Sequence, residues 1–323
     1  MTKRSIPYRL TLALILASSQ WAIGQERPDA RSNRTENPRD SMIVCTVPLV
    51  SIDAQVISRT NEALVSDLTH DELVISENED PQILAYFRRL RAPLSLVIVL
   101  NSASADRNAS SLSSNVSALG LASALEPGDE VSVLDARGPQ ILQSYTADSD
   151  LIIAAIERAY LQSSASVAPA ARRLRLALER AAEQAQMAHN PEAHRAIILI
   201  SDVIQTDRDE VLPLGVLAAI VRSRSALCLA GLEGLAPQSV GDTQDLNKVT
   251  ISAMVSLTGG SLVDDDWKSS LERMRSIYRI AYFADDRRSG ELVRIKLDLK
   301  PDAKRRERDF ALTYPRLAIS PDE

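Results

Sequence analysis

The sequence predicts an α/β protein: a doubly wound, mostly parallel sheet inserted in a small β-sandwich-like unit formed by the two flanks of the chain. Three observations predict it. The nearly continuous apolar runs Leu94–Leu100 and Ala196–Ile200 suit strands covered on both faces. Helix-length stretches alternate with them, as in doubly wound sheets. Outside this region apolar residues recur at every second position, at Val50, Ile52, Ala54 and Val56 and again at Val293, Ile295, Leu297 and Leu299.

Composition narrows the function. The chain has 323 residues, 45% apolar and 25% charged, which is ordinary globular usage with room for two domains. A net charge of −6 argues against a phosphate-backbone partner, and 4% aromatics argue against stacking platforms for nucleic acid. Three histidines, His70, His189 and His194, leave little material for a His-rich metal site or His-dependent catalysis.

In chain order, residues 1–24 read as a cleavable signal peptide. Lys3, Arg4 and Arg9 precede the apolar run Leu10–Ala17, and Ala22 and Gly24 sit at −3 and −1 of a cut before Gln25. That run is too short to span a bilayer, which needs about 20 residues. The mature chain, at −9 once these three cations are removed, is expected in the periplasm or outside the cell. Residues 25–42 are almost without apolar side chains and read as a disordered leader. Residues 43–92 form the first β-rich flank. Its strands are Val50–Val56, Leu73–Ile75 and Ile83–Phe87, with Glu77-Asn78-Glu79-Asp80-Pro81 as a turn.

Residues 93–276 form the α/β domain. Strand Leu94–Leu100 leads to a helix over about 110–125, which stops at Pro127-Gly128. Strands Val131–Leu134 and Gln140–Tyr145 follow, joined at Arg137-Gly138-Pro139. Asp148 or Ser149 caps a helix to Leu161, and a second helix covers Pro169–Ala188. Strand Ala196–Ile200, helix Val211–Arg222, strand Ala226–Ala230 and helix Asn247–Leu257 complete the alternation, which ends in a turn at Gly259-Gly260. His189 and His194 read as parts of an exposed helix-to-strand loop around Asn190-Pro191. Residues 277–323 return to period two, with strands Arg279–Phe283, Val293–Leu299 and Phe310–Tyr314, and pack with 43–92. Cys228 reads as a small buried hydrophobe in its strand, while export would permit a bridge to Cys45.

The layout resembles a von Willebrand factor A domain, a Rossmann-like fold. In that family the first strand ends in D-x-S-x-S, a later strand end supplies an Asp, and a loop Thr completes a Mg²⁺-binding metal-ion-dependent adhesion site. Over almost the whole mature chain the resemblance is to the bacterial, acidobacterial-type group called von Willebrand factor A-related. It rests on the acidic turn Glu77–Pro81 with Gln82, on Phe87 and Pro93-Leu94-Ser95, and on Thr258-Gly259-Gly260. The strands Tyr278-Arg279-Ile280-Ala281-Tyr282 and Arg294-Ile295-Lys296-Leu297 complete it.

Aligned on that motif, the ligand positions hold Asn101, Ala103 and Ala105. The Thr position falls near Ala168 if Leu174–Leu178 is the anchor, or near Ser166 in a shifted register, and Asp202 alone survives. A hard dication leans on carboxylate oxygens, so the adhesion site reads as degenerate and no cofactor is expected. The alternative is a weak Mg²⁺ site on Asp202 with Asp106 or Asp207. The resemblance implies a non-enzymatic module whose unidentified protein partner meets the sheet's carboxyl edge, around Asn101, Ser102, Ser104, Asp106 and Asp202. Two other classes stay open: a structural or assembly component of the cell envelope, and a hydrolase. Against the last, Ser102 and Ser104 lack a G-x-S-x-G elbow. Asp264-Asp265-Asp266 reads as a helix cap rather than a calcium cluster, and Lys304-Arg305-Arg306 with Arg308 as a solvated turn.

Overall fold

The computed structural model describes residues 49–58, 64–101, 118–161, 169–201, 211–230, 249–284, 290–300 and 310–319. The signal peptide, the leader, Cys45 and the basic run at 304–308 lie outside the described residues.

The chain opens with β1 (Leu49–Ser58), β2 (Leu73–Glu77), β3 (Asp80–Gln82) and β4 (Leu84–Arg91). The acidic cluster after β2 is a tighter turn than its length suggests. Glu77 pairs with Asp80, and only Asn78 and Glu79 turn the chain, with φ of 48° and 76°. Such left-handed pairs match the twist of a two-residue hairpin, and Asn accepts the conformation readily. Asp80 and Pro81 are therefore strand residues. Pro81 is tolerated because β3 is the edge of its sheet, where a missing N–H leaves no ladder bond unmade.

β5 (Leu94–Asn101) begins the α/β unit, and every one of its residues is buried. Helix α1, described over 118–124, leads to β6 (Glu130–Asp135) and β7 (Gln140–Thr146). Then come α2 (Ser149–Leu161), α3 (Ala170–Gln186), β8 (His194–Ser201), β9 (Val211–Leu212), α4 (Leu214–Arg222) and β10 (Ala226–Ala230). β11 (Val249–Thr250), α5 (Ile251–Leu257), β12 (Leu262–Val263) and α6 (Trp267–Arg275) follow. The chain returns to period two in β13 (Ser276–Phe283), β14 (Leu292–Leu299), β15 (Phe310–Thr313) and β16 (Leu317–Ile319).

Six strands form one sheet in the order β12-β10-β8-β5-β6-β7, parallel throughout except where β7 runs antiparallel to β6. The order reverses at β5, the first strand, as in doubly wound topology. Side-chain alternation splits the sheet's residues between two clusters. Val97, Val99, Ile197, Leu199, Leu227 and Leu229 pack with α3, α4 and α5. Leu96, Ile98, Val131, Val133, Ile198 and Cys228 pack with α1, α2 and α6. Both faces are thus covered, which is why β5 and β8 read as nearly continuous apolar runs.

The remaining strands form two four-stranded sheets, β15-β1-β13-β4 and β16-β14-β2-β3. Val50, Ile52, Ala54 and Val56 of β1 share one buried cluster with Val293, Ile295, Leu297 and Leu299 of β14. Tyr278, Ile280 and Tyr282 join them from β13. Inside that cluster the Tyr282 hydroxyl donates to Glu77 Oε2 at 2.5 Å, and the Tyr278 hydroxyl donates to the Val65 carbonyl at 3.1 Å. The tyrosines are structural: each buries a ring and finds a partner for its polar tip.

Two helix starts fall later than the sequence suggests. Helix α4 opens at Leu214 rather than Val211, because Pro213 holds Leu212 out of helical geometry and Val211–Leu212 pairs instead with Val249–Thr250. That same pairing keeps Val249 and Thr250 extended, so α5 starts at Ile251 instead of Asn247, with Thr250 as cap accepting from the Ala253 N–H at 3.2 Å. The caps of α2 and α6 fall where expected. Asp148 accepts from the N–H groups of Asp150 and Leu151, and Asp266 from that of Ser269. No helix among the described residues is long and apolar enough to cross a membrane.

Thr258-Gly259-Gly260 fastens α5 to β10. The Thr258 hydroxyl donates to the Met254 carbonyl at 2.8 Å and accepts from the Leu227 N–H at 2.9 Å. A Cβ on Gly260 would stand 1.8 Å from the Leu227 carbonyl oxygen. That neighbour is backbone in a central strand and has nowhere to move. Gly260→Ala is therefore expected to destabilise the fold at the upper end of overpacking effects, about 3 kcal/mol. Urea unfolding followed by circular dichroism measures it, with Gly138→Ala, which meets nothing within 4 Å, as the control.

Candidate functional site

Ligands of open α/β sheets bind at the carboxyl ends of the strands. β5 and β8 run in register from Leu94 beside His194 to Asn101 beside Ser201, so these last two residues lie side by side at that end. The Asn101 Nδ2 donates to the Ser201 Oγ at 3.0 Å, with both residues buried. One strand over, Asp135 ends β6. Arg137 grips its carboxylate with Nε at 3.0 Å and Nη2 at 2.9 Å, and adds its backbone N–H at 2.9 Å. Arg137 also donates to the Ala159 carbonyl, tying this edge to α2. The carboxylate at this end of β6, in register with Leu100, is thus already matched by a guanidinium.

Of the expected edge residues, Asn101 alone is described, as the last residue of β5 rather than the first of the loop after it. Ser102, Ala103, Ser104, Ala105, Asp106, Ala168 and Asp202 lie outside the described residues, as do Ser166 and Asp207. Among the described residues no group of three or more His, Cys, Asp or Glu side chains is placed to hold a metal ion. Cys228 carries a free, buried thiol whose pKa burial pushes up.

The histidine reading needs correction. His194 is not an exposed loop residue but the first residue of β8, with its side chain 10% exposed. Its Nδ1 lies 3.0 Å from Asp53 Oδ2. Arg279 reaches the same carboxylate, Nε to Oδ1 at 2.8 Å and Nη2 to Oδ2 at 3.1 Å, and also donates to Glu192 Oε2 at 3.1 Å. Burial alone would raise the Asp53 pKa, but the bonds and charges of His194 and Arg279 outweigh it and hold the group at about 2. An ionised carboxylate only accepts, so the His194 Nδ1 carries the proton. His189 is itself exposed, yet it meets Glu130 Oε2 at 2.8 Å through Nδ1, while Ser95 Oγ donates to Glu130 Oε1 at 2.7 Å.

Both polar clusters lie at the amino end of the sheet, opposite Asn101 and Ser201, and the one on Asp53 joins β1 and β13 to the α/β unit. Sequence reasoning missed them because Asp53 and Arg279 look like solvated residues of alternating strands. The available signal was a charge on the outward face of each strand, at positions that antiparallel pairing brings opposite one another.

Comparison with protein-family models finds no match, and comparison with curated proteins finds none. Solved structures do match. The VWA domain of SpRpn10 is 13% identical, with a TM-score of 0.33, over 54% of this chain and 87% of that one. The manganese-loaded TRAP protein of Plasmodium vivax is 10% identical, with a TM-score of 0.34, over 72% and 97%. Proximal thread matrix protein 1 of the mussel byssus, with a zinc-occupied MIDAS motif, is 12% identical with a TM-score of 0.36. That match covers 61% of this chain, which spans about half, 50%, of the mussel protein. Likenesses this loose say what the chain is similar to and no more.

Asp53 makes the joint sensitive to acid. Its pKa is about 2 when folded against an ordinary 3.8, so the ionised group contributes roughly 2 kcal/mol of stability above about pH 4. That contribution is lost as pH falls through about 2. Unfolding free energies from urea titrations between pH 6 and about pH 2 should fall for the natural protein, and Asp53→Asn should be less stable at pH 6 with a flatter acid limb.

Proposed function

We propose that the chain is an exported, non-enzymatic protein-interaction module of the von Willebrand A type. In this reading a partner meets the carboxyl edge of the six-stranded sheet without a bridging metal. The observation that carries the proposal is the bond from Asn101 to Ser201. At the position where the family resemblance asks for a carboxylate, the chain has a neutral amide whose nitrogen is committed to a neighbouring hydroxyl. Ala103 and Ala105 bring no side-chain oxygen, and the Asp135 carboxylate is held by Arg137. Magnesium prefers an octahedron of hard oxygens and gives up its waters reluctantly. The residues present therefore do not fit it, and contact with a partner relies on hydrogen bonds and apolar surface.

The non-enzymatic part rests on where the bases are. His189 and His194 stand at the amino end of the sheet, engaged with Glu130 and Asp53, far along the strands from Asn101 and Ser201. Export rests on the composition of residues 1–24 alone.

Titration calorimetry tests the metal part. Millimolar Mg²⁺ or Mn²⁺ should give no site-specific heat with the natural protein. Restoring the motif by Asn101→Asp, Ala103→Ser and Ala105→Ser should create a measurable affinity. Micromolar Mg²⁺ binding by the natural chain that Asp202→Ala abolishes would overturn the reading.

A further inference from the structure

At the amino end of the sheet the two β-sheets and the α/β unit enclose a cleft of about 770 Å³. One wall is the outer face of β1, β13 and β4. Pairing stacks Leu49 beside Phe283, Ser51 beside Ala281 and Tyr86, and Asp53 beside Arg279 on that face. Leu49 and Tyr86 line the cleft and remain 43% and 40% exposed. The opposite wall is the turn from α4 into β10, with Arg222 and Arg224. β16 supplies a third side through Leu317, Ala318 and Ile319, and it is the terminal strand of its sheet.

The charge of this cleft is inverted relative to the chain. Its acids, Asp53 and Glu192, are both bound by Arg279. Arg195, Arg222 and Arg224 also line it, and none of the three forms an ion pair among the described residues. Two cations beyond the acids therefore remain in a protein of net charge −6. Arg224 is also held at φ 55°, just after the Ser223 cap of α4, where glycine or asparagine is usual. A long basic side chain kept in a left-handed position is a local expense that helix termination does not require.

We propose that this cleft binds an extended acidic peptide segment of a partner protein. Its carboxylates lie on Arg222 and Arg224, an apolar side chain rests against Leu49 and Tyr86, and its backbone runs along the edge of β16. Strand addition to a sheet edge supplies main-chain bonds, while alternate side chains reach opposite walls, one basic and one apolar. Free guanidiniums make bidentate bonds to carboxylates, which fixes the sign of the partner. This surface is distinct from the carboxyl edge, so its test and the metal titration above can fail independently.

Fluorescence anisotropy with the full chain tests it. The probe is a short fluorescein-labelled peptide of alternating glutamate and leucine, and the comparison peptide has lysine in place of glutamate. The glutamate peptide should bind saturably and more weakly as sodium chloride is added, while the lysine peptide should not saturate. The paired change Arg222→Glu with Arg224→Glu should weaken binding about tenfold or more, and Tyr86→Ser should weaken it without altering charge. Arg172→Glu, an exposed arginine of α3 outside the cleft, should leave it unchanged. Absence of saturable binding, equal binding by the lysine peptide, or indifference to the arginine pair would overturn the proposal. So would displacement of the peptide by pyrophosphate with no effect of Tyr86→Ser, which would mark a site for small anions.

Discussion

The architecture depends on one buried ion pair. Between the flanking sheets and the six-stranded sheet the described chain crosses twice, around Ala92–Leu94 and at Arg275–Ser276. Arg275 and Asp129 meet there with side chains 2% and 1% exposed. The Asp129 carboxylate also accepts from the Leu94 N–H at 2.8 Å and the Glu126 N–H at 2.8 Å, and Arg275 donates to the Ala124 carbonyl at 3.1 Å. One carboxylate and one guanidinium thus anchor the end of α1, the entry to β5 and the exit from α6. Removing either partner would leave the other charge buried alone, which generally costs about 3–5 kcal/mol. The neighbouring Arg91, bonded to both Glu126 and Glu272, has similar geometry but is half exposed, so solvent screens it and it contributes far less.

With the joint held at the amino end, the two ends of the sheet differ in charge. The amino end is crowded with charge: Asp53, His194, Arg279, Glu130, Asp129 and Arg275 all find partners there. At the carboxyl end the described residues are fewer and quieter, an amide on a hydroxyl and a carboxylate on a guanidinium. The von Willebrand-like motifs divide in the same way. Thr258-Gly259-Gly260 and the Tyr278 to Tyr282 strand are accounted for by packing, whereas Asn101 stands at the end of β5.

What the sequence revealed followed from burial. β5 and β8 were legible because both their faces are covered, so nothing polar interrupts them between Leu96 and Leu100 or between Ala196 and Ile200. β14 was legible for the opposite reason, one face wet and one dry. The short strands β9 and β11 were not legible, since two residues carry no period and only their mutual pairing defines them. His194 was misjudged because Pro191 beside it suggested a loop, whereas β8 extends two residues beyond its apolar run to place that imidazole on Asp53. The cleft was invisible to any local pattern. Its walls come from β1, α4, β13 and β16, which are joined only in space.

The register of β4 and β13 has a consequence for how the chain is assembled. Arg91 pairs with Ser276, and the Ala92 N–H donates to the Arg275 carbonyl at 2.9 Å. Seen from the flanking sheets, everything from 92 to 275 is the loop of a β-hairpin. The closure entropy of a long loop grows only logarithmically with its length, and a folded insert with touching ends adds little to it. A tight two-residue turn could replace the whole insert without separating the strands it joins. The excised unit, its ends within one hydrogen bond of each other, has the geometry of a cassette that can be moved into another hairpin or closed into a circle.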